Sequence, residues 1–330
     1  MRRREFFGVV GGAAAWPALA RAQQSDHKRR VGVLMGYSEN DPQAQRLFAA
    51  FRQGLIEAGW IAGGNLEIEV RWTGAEVERM RQLASELVAR KPDVILSNST
   101  PLTAALKRET ATIPIVFTIV SDPVGAGFIT SLARPAGNMT GFINVEAAMG
   151  GKWLELLKEV APGINHAAIL FNPQTAPGGG EYFLPSFEAA GVKLGVKTNA
   201  APARGLADIG RVVAGIAERA GGGLVVMTDS FNAVHRGETM KLAAAHKLPT
   251  IFPGGSYARE GGLIGYGPDN VDLFARSATY VDRVLKGENP GELPVQVPRK
   301  FELVINLVTA KTLGLTVPLT LQAAADEVVE

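Results

Sequence analysis

The sequence predicts an α/β protein of two Rossmann-like lobes, each a doubly wound parallel sheet, joined by a hinge of several crossings. Three observations carry this. Short apolar runs alternate with stretches of helical periodicity along nearly the whole chain. The alternation starts afresh halfway, and Ile113-Pro114-Ile115-Val116-Phe117 and Leu248-Pro249-Thr250-Ile251-Phe252 mark equivalent places in the two halves. The last segments do not simply extend the second half, so they are expected to pass between the lobes and form the hinge. At 330 residues, 46% hydrophobic and 20% charged, the chain has material for two cores.

In order, residues 1–22 read as an export signal. Arg3-Arg4-x-Phe6-Phe7 resembles a twin-arginine motif, an apolar run follows, and Ala20-Arg21-Ala22 offers the small residues a signal peptidase reads. Cleavage after Ala22 removes four arginines and one glutamate, taking the formal charge from +2 to −1. The expected location is the periplasm. Residues 31–35 form a first strand, and a helix with Leu47, Phe51 and Leu55 on one face stops at Gly59. Residues 66–70 alternate as a strand. A helix through Met80, Leu83 and Leu87 leads to the strand at 94–96. Residues 113–117 are the fourth strand. A link over 139–145 enters a helix containing Trp153, Leu157 and Val160.

The second half repeats the order. Strands are expected at 167–171, 192–197, 224–227 and 248–252. Helices are expected at about 182–190, 209–219 and 234–246. Then come a short strand at 263–267, a helix at 271–285, an extended piece at 293–298 and a last helix at 302–313.

The functional focus is Asp93-Val94-Ile95-Leu96-Ser97-Asn98-Ser99-Thr100-Pro101. A buried strand ends in small polar residues, Thr100 is a suitable N-cap, and Pro101 suits the first helical position. A helix N-terminus at the carboxyl end of a parallel strand favours an anion such as a carboxylate. The second half builds a similar edge at Thr228-Asp229-Ser230. Polar and aromatic residues at strand ends complete a candidate ring. Tyr37, Ser38, Ser97, Asn98, Ser99, Thr100 and Asp122 come from the first half. Asn144, Asn172, Asp229, Phe231 and Tyr257 come from the second. Ser97, Ser99 and Thr100 suit a carboxylate, Asp229 or Asp122 an ammonium, and Tyr37, Phe231 and Tyr257 a side chain. The plainer reading of each is a local cap or turn, as at Asp122-Pro123 and Asn172-Pro173.

Other chemistries find no motif. The sequence has no cysteine, so disulfides and thiolate sites are excluded. The four histidines lack ligand spacing, Gly-x-Ser-x-Gly does not occur, and Gly36-Tyr37-Ser38 after the first strand is no dinucleotide loop. No enzyme activity, cofactor or metal is therefore expected. The balanced charge predicts no nucleic-acid partner.

Several stretches resemble one family. They include Asn65-Leu66-x-Ile68-Glu69-x-Arg71-Trp72, Ser131-Leu132-Ala133-Arg134-Pro135-x-Gly137-Asn138-x-Thr140-Gly141, Tyr266-Gly267-Pro268-Asp269 and Lys300-Phe301-Glu302-Leu303-Val304-Ile305-Asn306-Leu307. The chain is similar to the periplasmic substrate-binding proteins of ABC transporters, type I fold, in the branch that includes tryptophan and tyrosine binders. The resemblance implies two lobes with three crossings, closing on a small ligand and delivering it to a membrane permease and ATPase. It implies a first lobe of residues 23–142 plus about 268–292, and a second of 143–267 plus about 293–330. An amino acid or related carboxylate is the expected ligand, and a monomer the expected state. A sensory protein reporting to a membrane receptor is the alternative, and an exported α/β enzyme a further one.

Overall fold

A computed structural model describes residues 28–330. The expected export signal and its cleavage point lie outside the described residues. The first sheet contains β1 (Arg29–Met35), β2 (Leu66–Trp72), β3 (Val94–Asn98), β4 (Ile115–Val120) and β5 (Met139–Ile143). Their order is β2-β1-β3-β4-β5, with every pair parallel. The second contains β6 (His166–Phe171), β7 (Lys197–Pro202), β8 (Gly222–Val226), β9 (Thr250–Phe252), β10 (Ile264–Pro268), β11 (Phe301–Asn306) and β12 (Glu327–Val329). Its order, β7-β6-β8-β9-β10-β11-β12, repeats the 2-1-3-4-5 arrangement in its first five strands. This order has a switch point between its first and third strands, where ligands bind in such sheets.

Helices cover both faces of each sheet. α1 (Pro42–Glu57) begins at Asp41, whose Oδ1 accepts from the Gln43 and Ala44 N–H groups. Its stripe of Leu47, Phe51 and Leu55 covers one face of the first sheet. Met80 and Leu87 of α2 (Val77–Ala89), with Leu102 and Leu106 of α3 (Thr100–Glu109), cover the other. In the second lobe, Trp153 of α4 (Met149–Val160) packs on Phe183, ring centroids 5.4 Å apart, just before α5 (Leu184–Leu194). Burying each such ring stabilises the lobe by about 1.5–3 kcal/mol. α6 (Leu206–Ala217), α7 (Ser230–Val234), α8 (Arg236–Ala245) and α9 (Gly255–Arg259) complete the windings.

The chain leaves the first sheet after β5 and returns after β10 as α10 (Asn270–Leu285), which packs against α1. A Cβ at Gly54 would stand 2.8 Å from the Ala275 carbonyl oxygen, so glycine is what lets these helices approach. Residues 293–296 then run along β5. The Gln296 N–H donates to the Gly141 carbonyl at 2.9 Å, and the Ile143 N–H to that of Gln296 at 3.0 Å. The chain therefore stays beside the first sheet as far as residue 296. The chain ends in the second lobe with α11 (Leu307–Thr312), α12 (Leu319–Ala324) and β12.

Several expected elements differ. Residues 192–194 finish α5, and the strand begins only at Lys197. The alternation of Val192, Leu194 and Val196 suggests a strand, but Val192 is 87% exposed on the helix surface. Residues 301–306 form β11, antiparallel to β10, where a helix was expected; only Leu307–Thr312 is helical. The link at 139–145 contains β5. Gly141 permits this, because a Cβ there would lie 1.9 Å from the Phe117 carbonyl oxygen. The expected helix at 234–246 is two helices meeting at His235.

Candidate functional site

The two sheets present their carboxyl ends to each other across a cleft. Its first-lobe wall is built at the switch point. Ser97 turns inward, and its Oγ lies 2.8 Å from Thr103 Oγ1 beneath the surface. Asn98 Oδ1 accepts from the Gly36 N–H at 3.2 Å, tying β3 to the end of β1. Ser99, not Thr100, is the N-cap position of α3. It has φ 88° and ψ 157°, a region almost reserved for glycine. No side chain caps this helix. Thr100 instead accepts the Ser121 N–H at 3.1 Å, binding the ends of β3 and β4 together. Ile119 also has positive φ, 54°, beside an irregularity in the β4–β5 register, and it lines the cleft.

The opposite wall is built differently. Asp229 caps α7: its Oδ1 accepts from the Asn232 N–H at 2.7 Å, and its Oδ2 from the Asn172 N–H at 3.0 Å. Burial pushes this carboxyl up to about 7, against those hydrogen bonds, which favour the charged form. Two phenols complete the walls, Tyr37 from the first lobe and Tyr257 from the second, 5% and 6% exposed. Burial raises both above their ordinary value, so they remain neutral hydroxyls. Tyr257 also stacks on Phe252 at 5.6 Å.

The lobes touch. Ser230 Oγ donates to Ser99 Oγ at 3.1 Å. Within the second half, Asn144 Nδ2 donates to Thr228 Oγ1 at 3.3 Å. At another contact between the lobes, the Arg236 guanidinium donates to both Asp41 oxygens, at 2.6 and 3.1 Å, and to Glu260 Oε2 at 2.7 Å. These side chains are mostly buried, 9% exposed for Arg236 and 12% for Asp41. Burial works against both charges, but their mutual bonds prevail: Arg236 is raised and Asp41 lowered from their ordinary values. Between the walls lies a small cavity of about 40 Å³.

Seven sequence-chosen residues line that cavity: Tyr37, Asn98, Ser99, Thr100, Asn144, Asp229 and Tyr257. The others lie elsewhere. Ser38 is exposed outside it. Ser97 lies beneath the surface. Asp122 closes a local turn, its Oδ1 accepting from the Gly125 N–H. Phe231 is buried in the second lobe against His235, with ring centroids 4.5 Å apart. Asn172 lies outside the lining; its N–H donates to Asp229 and its carbonyl accepts from the Thr175 N–H. The cavity adds Ile119, Ser121, Thr175, Ser230 and Asn270. Ser230 adjoins the chosen Asp229, and Asn270 follows the stretch Tyr266-Gly267-Pro268-Asp269. Ser121 adjoins the chosen Asp122, and Ile119 and Thr175 carried no signal of their own.

Known proteins match over most of this length. The chain is 25% identical over 304 residues to the tyrosine-binding protein of Clostridioides difficile (strain R20291), covering 89% of this chain and 84% of that one. Among solved structures, a conserved domain protein from Vibrio cholerae is 29% identical with a TM-score of 0.84, covering 92% of this chain and all of that one. An ABC domain from Streptococcus pneumonia in complex with L-Trp is 23% identical with a TM-score of 0.83, at the same coverage. The family model described as ABC transporter substrate binding protein matches residues 39–329, and the chain belongs to that family.

Proposed function

We propose that this chain is the periplasmic solute-binding component of an ABC importer and that its ligand is an aromatic α-amino acid. One observation carries the reading: a helix N-terminus without a side-chain cap faces a half-buried carboxylate across a cavity flanked by two phenols. Ser99, Thr100 and the first N–H groups of α3 hold the ligand carboxylate. Asp229 takes the ammonium. It already accepts three bonds, from Asn232, Asn172 and Thr175, and a carboxylate accepts about four. Tyr37 and Tyr257 contact the side chain. Ligand that bonds to both walls binds the closed arrangement better than the open one, and so shifts the population towards it. The tyrosine-binding relative and the L-Trp complex support an aromatic amino acid. Delivery to a membrane permease and ATPase follows from the family role, and no helix among the described residues is long and apolar enough to cross a membrane.

The test is thermal unfolding of residues 23–330 against amino acids, their deaminated analogues and small carboxylates. A ligand bound only by the folded state raises the midpoint by mass action. A shift confined to tyrosine, tryptophan or phenylalanine supports the proposal. No shift with any amino acid overturns it.

A further inference from the structure

Resting on the amino-acid reading above, we propose that the Asn270 side-chain oxygen is a second acceptor for the ligand's ammonium group, shared with Asp229 of the other lobe. Among the described residues, four buried side-chain polar atoms have no hydrogen-bond partner: Gln43 Oε1, Thr118 Oγ1, Asn232 Oδ1 and Asn270 Oδ1. Of these four residues, Asn270 alone lines the cavity. A buried acceptor without a donor is costly, so such atoms are rare unless something else uses them. The nearest helix donors are already engaged. Asp269 Oδ1 accepts the Val271 and Asp272 N–H groups at 2.9 and 3.2 Å.

Asp229 leaves room for this partner. An ammonium group has three N–H donors, and after its bonds to Asn232, Asn172 and Thr175 the Asp229 carboxylate has about one acceptor position left. A neutral amide oxygen takes another donor without adding a second buried charge. The placement also matters mechanically. Asn270 opens α10, which packs on α1 in the first lobe, whereas Asp229 belongs to the second. The amine therefore bonds to both lobes, and a ligand lacking it loses a tie that holds them together.

The experiment compares, by calorimetry, the aromatic amino acid giving the largest thermal shift with its deaminated analogue. It uses wild type, Asn270→Leu and Asn270→Asp, with Asn270→Ala as a smaller replacement should Leu disturb folding. Wild type is expected to favour the amine by about a hundredfold. Asn270→Leu or Asn270→Ala should cut that preference about tenfold while changing affinity for the deaminated analogue little. Asn270→Asp, which retains an acceptor, should keep the preference. Wild type that binds an amino acid, with the full amine preference surviving in Asn270→Leu and Asn270→Ala, overturns the inference alone. Wild type that binds no amino acid removes the functional reading and this inference together.

Discussion

The ends of β3 and β8 occupy equivalent places in two sheets of the same strand order, yet they are finished in opposite ways. At β3 the N-cap residue Ser99 makes no capping bond through its side chain and holds a strained backbone. At β8 Asp229 caps its helix conventionally and also accepts from the end of β6. One edge presents donors and the other an acceptor with negative charge. The repeat thus supplies two similar frames, and small changes in capping give them opposite polarity. A zwitterion between them matches both at once.

Removing the acceptor edge should have the largest effect. Asp229→Ala is expected to weaken amino-acid binding about a hundredfold, the scale of a charge-assisted bond. It should also cost about 1 kcal/mol of stability through the lost cap. Asp229→Asn keeps a good cap without the charge, so its unfolding midpoint should match wild type near pH 4 while its affinity at neutral pH still falls. Calorimetry paired with thermal unfolding separates the two roles.

Protonation tests the same edge more gently. With its carboxyl at about 7, Asp229 must lose a proton to receive an ammonium at lower pH. Affinity should weaken by roughly tenfold between pH 7.5 and 5.5, and Asp229→Asn should flatten that dependence. Stability of the ligand-free closed form runs the other way. A raised folded value means the contribution is full below about pH 4, the ordinary carboxylate range, and is lost as pH rises through 7. Asp229→Asn should therefore gain midpoint relative to wild type as pH rises over that interval. An unchanged difference would break the account of Asp229 as a charge buried at a cost.

The contact through Arg236 sharpens the comparison from outside the cavity. Asp41→Asn keeps the cap of α1 and removes the charge that Arg236 grips. Ligand release should accelerate about tenfold with little change in association, as stopped-flow measurements would report; removing one partner of a buried pair acts mainly on dissociation. Equal slowing of association would show that the pair guides encounter instead.

Ser99→Gly carries the smallest expected change and the most unusual sign. Relief of the backbone should add about 1 kcal/mol of stability. Loss of the hydroxyl should weaken binding several-fold. Ser99→Ala loses the same hydroxyl but keeps the strain, so its midpoint should fall below that of Ser99→Gly. If the two midpoints coincide, the strain at β3 is not what distinguishes the edges.

Much of this was legible in the chain. Apolar runs fixed where β1, β3, β4, β6, β8 and β9 lie, and Gly and Pro punctuated them, because periodicity and turn chemistry are local properties. Where two local readings compete, the sequence misleads. Residues 192–196 alternate like a strand but finish a helix, and residues 301–306 are a strand because β10 offers them an edge. The same limit holds at the site. Strand-end composition pointed to Ser97, Asn98, Ser99 and Thr100 together, but only the fold turns Ser97 beneath the surface and leaves the others on the wall.

By itself, then, the sequence determined the two-lobed α/β plan, the repeated polar strand ends and the family resemblance, all carried by short stretches of chain. The tertiary structure decided which of those residues share a cavity, why Phe231 and Asp122 do not, and that Asn270 does. Those outcomes depend on contacts such as Ser99 with Ser230, 131 positions apart, and on how two lobes close on each other. No local pattern encodes such distances; they follow from packing the whole chain.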